Sequence, residues 1–277
     1  MRIIRIFPRK TKATPDDENV RINCGPCLLD ECDEVHISVT FSWDMQCAEN
    51  LAEQWKYVGR VKIGGPAAGT RGEEFVPGMY IKSGYVITSR GCPNKCWFCE
   101  VWKREGKVRE LEINDGWNVL DDNLLACTEP HIRSVFNMLK RVKSSGHRIE
   151  FTGGLEAARL NQWHVDLLRD LKPKQVFFAY DTPDDLDPLF CAGKMLLDSG
   201  FTRASKTLRC YVLCGYPKDT FELAETRMRQ SIDAGFVPMA MLFRDRTGNV
   251  DSEWKKFQRM WARPAIIGAI TKSRKTS

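Results

Sequence analysis

"GYVITSRGCPNKCWFCEVW" (84–102) sets an apolar, β-branched run directly before three cysteines. Tyr85, Val86, Ile87 and Thr88 read as a buried strand. Cys92, Cys96 and Cys99 follow in a C-x₃-C-x₂-C spacing, with Pro93 after the first and Trp97 and Phe98 before the last. Thiols crowded into one loop point to metal or redox chemistry, whereas isolated cysteines are small buried hydrophobes. A structural zinc site closes four ligands around its ion, yet no further cysteine or histidine follows until Cys127. Soft thiolates also suit iron–sulfur clusters, and three of them on a four-iron cube leave one iron without a protein thiolate.

Outward from this loop, apolar runs alternate with amphipathic ones. Strands are expected over 84–90, 116–120, 148–154, 175–181, 208–216 and 236–243, and helices near 129–145, 158–171, 184–199, 219–234 and 251–261. In the first of these helices Ile132, Val135, Phe136, Leu139 and Val142 share one face. Asp219 or Thr220, after Pro217, offers an N-cap for the fourth. Such alternation implies an α/β fold with a parallel sheet, as an open sheet or a partial (β/α)6 TIM-like barrel, with chemistry at the C-terminal strand ends. Upstream, "IIRIF", a polar loop, "EVHISVTF" (34–41), a helix over 44–59 and "RVKIGGPAAG" (60–69) form a small α/β region with parallel strands. The Gly- and Pro-containing stretch 69–80 reads as a linker. The expected organisation is 1–78 for the N-terminal region, 79–250 for the barrel, and 251–277 for a C-terminal helix and basic tail.

The 277 residues are 43% hydrophobic and 28% charged, ordinary for a globular chain, and the net charge of +6 is mild. That charge permits a nucleic-acid or phosphate-bearing partner without requiring one. No apolar stretch approaches the ~20 residues that cross a bilayer, so no membrane partner is expected. The start, "MRIIRIFPRK", lacks a signal-peptide pattern, and a cytoplasmic protein is the expectation. Eleven cysteines are many for a reducing compartment, where structural disulfides are rare.

The cysteine spacing, Phe98 just before the last thiol, and the alternating strands together resemble the radical S-adenosylmethionine enzymes, in particular cobalamin-type members with a truncated N-terminal domain. The resemblance implies a 4Fe–4S cluster on Cys92, Cys96 and Cys99, with S-adenosyl-L-methionine chelated at the open iron. Reductive cleavage there yields methionine and a 5′-deoxyadenosyl radical that abstracts hydrogen from a substrate, and a flavodoxin- or ferredoxin-like electron donor is implied. It further implies cofactor contacts at Phe98, at Asp121, Asp122 and Asn123 after the second strand, at Gly153, Gly154 and Glu156 on the third, and at Asp181 on the fourth. "YVLCGYPKDT" (211–220) resembles the fifth-strand signature Gly-x-Pro-x-(Glu/Asp)-Thr, with Asp219 read as a cap. Arg209 and Tyr211 are the catalytic candidates, as a carboxylate partner or hydrogen donor, and Arg244 and Arg246 suit either an anionic substrate or solvent.

The N-terminal region departs from the cobalamin domain: it is shorter and lacks the Asp-x-His-x-x-Gly motif, with Asp33 and His36 wrongly spaced. No cobalamin is expected, and His36 reads as a satisfied strand histidine. Cys24, Cys27 and Cys32, with Cys47, suit zinc, an auxiliary cluster, or plain thiols. Mild basicity and the lack of a peptide-handling domain favour a nucleotide or nucleic-acid base as substrate. The alternative is a non-catalytic metal- or cluster-binding protein that binds nucleic acid through its basic surface.

Overall fold

The computed structural model describes residues 1–72, 74–245, 247–262 and 267–268. Arg246 and the basic tail 271–277 lie outside them. The chain divides into two compact units, 1–116 with 246–248, and 117–245 with 249–277.

The first unit opens with β1 (Ile3–Phe7), β2 (Val20–Ile22), β3 (Glu34–Ser38), α1 (Met45–Trp55) and β4 (Arg60–Gly64). The four strands form one parallel sheet in the order β2-β1-β3-β4. Alternate residues of β1 and β3 face the helix, so Ile4, Ile6, Val35, Ile37 and Val39 pack with Ala48, Leu51 and Trp55 in a closed core. Each large apolar side chain buried there contributes about 1.5–3 kcal/mol. The Trp55 indole N–H donates to the Cys24 carbonyl at 2.9 Å, so the one polar atom of that ring is satisfied.

The opposite face is polar. Arg5, His36 and Lys62 stand side by side in register. Glu34 accepts from Lys62 and pairs with His36 Nε2, both at 2.8 Å, while His36 Nδ1 meets the Tyr80 hydroxyl at 2.6 Å. Both ring nitrogens of His36 are thus occupied within the fold, as its place in an alternating strand suggests. Arg5 pairs with Asp17 and donates to the Gly78 and Met79 carbonyls. Gly78 and Met79, at the end of the Gly- and Pro-containing stretch, are thus fastened to the sheet. The same unit continues through β5 (Tyr85–Val86), β6 (Ser89–Arg90), α2 (Val101–Arg104) and β7 (Arg109–Glu110). The strand expected over 84–90 is broken into two: Ser89–Arg90 turns away to pair antiparallel with β7.

The second unit alternates β8 (Asn118–Val119), α3 (Glu129–Ser144), β9 (Glu150–Leu155), α4 (Gln162–Leu171), β10 (Gln175–Tyr180), α5 (Leu186–Asp198), β11 (Leu208–Cys214), α6 (Phe221–Asp233), β12 (Val237–Leu242) and α7 (Ser252–Trp261). Consecutive strands from β8 to β12 pair in parallel, each beside its predecessor. The helices that connect these parallel strands explain why each strand is followed by an amphipathic segment. Ile132, Val135, Phe136, Leu139 and Val142 of α3 are all buried, as their spacing predicts, and Phe136 stacks on Phe151 of β9 at 5.6 Å. Helix α4 begins at Gln162 rather than 158, because Asn161 is extended and forms a capping box with His164. In β11 burial alternates strictly: Leu208, Cys210, Val212 and Cys214 are buried, while Arg209, Tyr211 and Leu213 are half-buried on the other face.

Candidate cluster loop and polar strand ends

The cysteine loop is closed at its base by backbone and charge. Gly91 has φ +92°, and a Cβ there would lie 2.3 Å from the Lys107 carbonyl, so only glycine lets the two ends of the loop approach this closely. The Cys92 N–H donates to the Gly106 carbonyl at 3.1 Å, and Leu111 N–H to Thr88 at 2.8 Å. At the tip the Cys99 N–H donates to the Cys96 carbonyl at 3.2 Å, and the Trp102 indole donates to the same oxygen at 3.1 Å. That turn fixes the backbone between the last two cysteines. All three cysteines and Phe98 are half-buried, while Trp97 is exposed and meets Phe98 edge-on at 5.3 Å.

Glu105 anchors the loop's return. It is 2% exposed and accepts from Arg104 Nε at 2.9 Å, from Arg109 Nη2 at 3.0 Å and from the Gly72 amide. Burial opposes its ionisation, but Arg104 and the Gly72 amide outweigh it and hold the carboxyl below its ordinary value. Sequence reading missed Glu105, whose neighbours in "KREGKVRE" pass for a solvated charge run.

Among the described residues no three His, Cys, Asp or Glu side chains converge as one ion's ligands do, at this loop or at Cys24, Cys27, Cys32 and Cys47. In the latter region the Cys47 thiol donates to Asn23 at 3.2 Å and burial pushes the Cys32 thiol up. The donor set of the 92–99 loop suits a thiolate-bound cluster on its chemistry: three soft sulfur ligands, half-buried, on a backbone already closed. A cube spreads its thiolates over separate corner irons, so they need not meet at one point.

In the second unit the predicted polar groups gather at C-terminal strand ends, where parallel α/β sheets carry their ligands. Asn123, after β8, donates its amide to Glu156, after β9, at 2.6 Å, and Arg159 donates to the same carboxylate oxygen at 2.7 Å. Asp121 and Asn123 are buried and Asp122 half-buried. A Cβ on Gly153 would sit 2.5 Å from the Asp121 carbonyl, so the segment after β8 lies directly against β9 there. The groups expected after the second strand and on the third are thus joined in space. Gly154 beside them faces open space.

Asp181 ends β10 and accepts the Leu213 N–H at 3.0 Å, linking β10 to β11. Burial, reinforced by Asp185, pushes its carboxyl up to about 7. Asp219 is no helix cap: the Thr220 side chain takes that role by accepting from Leu223 N–H. Asp219 instead accepts the Gly215 N–H and an Arg227 N–H, both at 2.8 Å, with both side chains buried. Arg227 also reaches the Leu213 carbonyl, so this pair fixes the 211–220 turn. The register places Arg209 beside Phe177 and Tyr211 beside Ala179. Tyr211 stacks on Phe177 at 4.3 Å, donates to the Thr152 carbonyl at 3.1 Å, and burial pushes its phenol up to about 12. It therefore stays protonated at neutral pH.

No protein-family model matches this chain, and a search of curated proteins finds no match. Any assignment of chemistry therefore stands on the residues themselves. Among the described residues, no helix is long and apolar enough to cross a membrane.

Proposed function

We propose that this chain is a radical S-adenosylmethionine enzyme. The observation that carries the reading is the closed loop bearing Cys92, Cys96 and Cys99 as half-buried thiols directly after a strand. When bound, a 4Fe–4S cluster would supply the electron that splits the sulfonium of S-adenosylmethionine. The protein's share is to orient and to exclude water. Cys92, Cys96 and Cys99 are the thiolates assigned to the cluster, and Phe98 is the apolar group beside them. Asn123, Glu156 and Asp121 are the hydrogen-bonding groups assigned to the cofactor's polar ends. Gly153 and Gly154 leave backbone accessible there, and Asp181 holds the neighbouring strand end in register. The partial barrel, a reducing compartment and a flavodoxin- or ferredoxin-like donor belong to this reading.

The test is anaerobic reconstitution of the chain with iron and sulfide, followed by reduction and addition of S-adenosylmethionine. 5′-Deoxyadenosine is the expected product, and Cys96→Ala should abolish it. Undiminished product from that variant would refute the ligand assignment. Binding of zinc without cofactor cleavage, together with salt-sensitive nucleic-acid binding, would favour a non-catalytic module instead.

A further inference from the structure

Arg209 is the second residue of β11 and lies on the strand's half-buried face. Its guanidinium sits 5.7 Å from the Phe177 ring centre. Its Nε is buried and donates to no atom of the described residues. The acid that acts on its charge, Glu150, is held by Lys174 at 2.6 Å. Burial works against its charge, and Glu150 offsets only part of that. A cation kept partly out of water without a hydrogen-bonded anion is costly, and the oxyanion of a ligand would offset that cost.

The residues around it describe the ligand. Along β11 and β12 the same face presents Tyr211 beside Met239 and Leu213 beside Met241, running from Arg209 toward the C-terminal strand ends. Tyr211 and Met239 are half-buried, and Met241 is 40% exposed. Thr152, whose carbonyl accepts the Tyr211 hydroxyl, donates its own hydroxyl to Asn118 at 2.6 Å. At ~3.3 Å per residue, Arg209 stands about 13 Å before Leu213, the residue that Asp181 grips. The arginine is therefore well separated along β11 from the Asp181–Leu213 link.

We propose that Arg209 binds the oxyanion, carboxylate or phosphate, of a small substrate whose flat or apolar body runs along Tyr211 and Met239 toward the strand ends. A guanidinium presents Nε and one Nη as a fork that matches two oxygens of either anion. The word substrate rests on the radical reading; the binding of the anion does not. The phosphate arm agrees with the nucleotide expectation and the carboxylate arm is its alternative source.

The test is titration of the reconstituted full-length chain with phenyl phosphate, benzoate and uncharged benzamide, read at the Arg209 Nε–H resonance and by calorimetry. One or both anions should saturate by about 10 mM, and benzamide should not. Arg209→Gln should weaken the better anion at least tenfold, and Arg209→Lys, which keeps the charge but loses the fork, should weaken it less. Because the guanidinium makes no hydrogen bond among the described residues, Arg209→Met should fold with an unchanged or higher denaturation midpoint. Saturation by neither anion, equal binding of benzamide, full anion affinity in Arg209→Gln, or a lowered midpoint in Arg209→Met would each overturn the proposal. Anion binding without 5′-deoxyadenosine formation would instead refute the radical reading and leave this site standing.

Discussion

At the scale of single residues, Asp181 shows how a strand end is set. Its carboxyl lies in a buried place, near the like charge of Asp185, with only the Leu213 N–H and the more distant Arg227 favouring ionisation. The native group titrates near 7 where an unfolded aspartate titrates near 3.8. As pH rises through that window the unfolded chain loses its proton first, so the native state loses stability between about pH 4 and pH 7. Asp181→Asn keeps an oxygen for the Leu213 N–H and removes the titration. Its urea midpoint should exceed that of the unmodified chain at pH 8 and match it at pH 4. Equal midpoints at pH 8 would show that the carboxyl ionises without penalty. Gly153 makes the complementary point in steric terms: the close approach of the Asp121 carbonyl leaves no room for a side chain, whatever role the neighbouring Glu156 plays.

At the scale of elements, the 211–220 turn is held by a buried ion pair as well as by its own glycine and proline. Asp219 is fully buried and Arg227 nearly so, and together they tie the start of the turn, through Leu213 and Gly215, to α6. Arg227→Met leaves the Asp219 carboxylate buried without its cation and should cost about 3–5 kcal/mol of stability. Adding Asp219→Asn should recover part of that loss, because the unpaired charge is then gone. A double variant no more stable than the single one would mean that the turn depends on the arginine's packing instead. This pair also marks the limit of what the sequence discloses. The alternation of strands and helices in the second unit, the buried face of α3 and the parallel β3–α1–β4 unit are legible, because hydrophobic period reports local geometry directly. The role of Asp219 is not, since its partner lies eight residues along the helix on a face that reads as polar. Glu105 is hidden for the same reason: its burial depends on Arg104, Arg109 and the distant Gly72 amide. The three-residue β2 and the break between β5 and β6 are likewise set by neighbours in the sheet, and short segments carry too few residues to show a period. The pairing of Asn123 with Glu156 falls between these cases. Both residues stand out by type in the sequence, and the pairing of β8 with β9 brings them together.

At the scale of the molecule, two α/β units carry different sets of the groups that the proposed chemistry would use. The first builds a parallel sheet on an apolar core and closes the cysteine loop with Gly91, Glu105 and backbone hydrogen bonds. The second lines the C-terminal ends of parallel strands with acids and amides and leaves an arginine without an anion on its half-buried face. The central claim is that three thiolates hold a four-iron cube and leave one corner for S-adenosylmethionine. The most direct measurement is the Mössbauer spectrum of the iron-labelled, reconstituted chain before and after that compound is added. The account predicts a four-iron cluster in which one iron alone changes its signal on addition, and no cluster when Cys92, Cys96 or Cys99 is replaced by alanine. A single bound ion, or a cluster whose spectrum stays the same when S-adenosylmethionine is added, would contradict it.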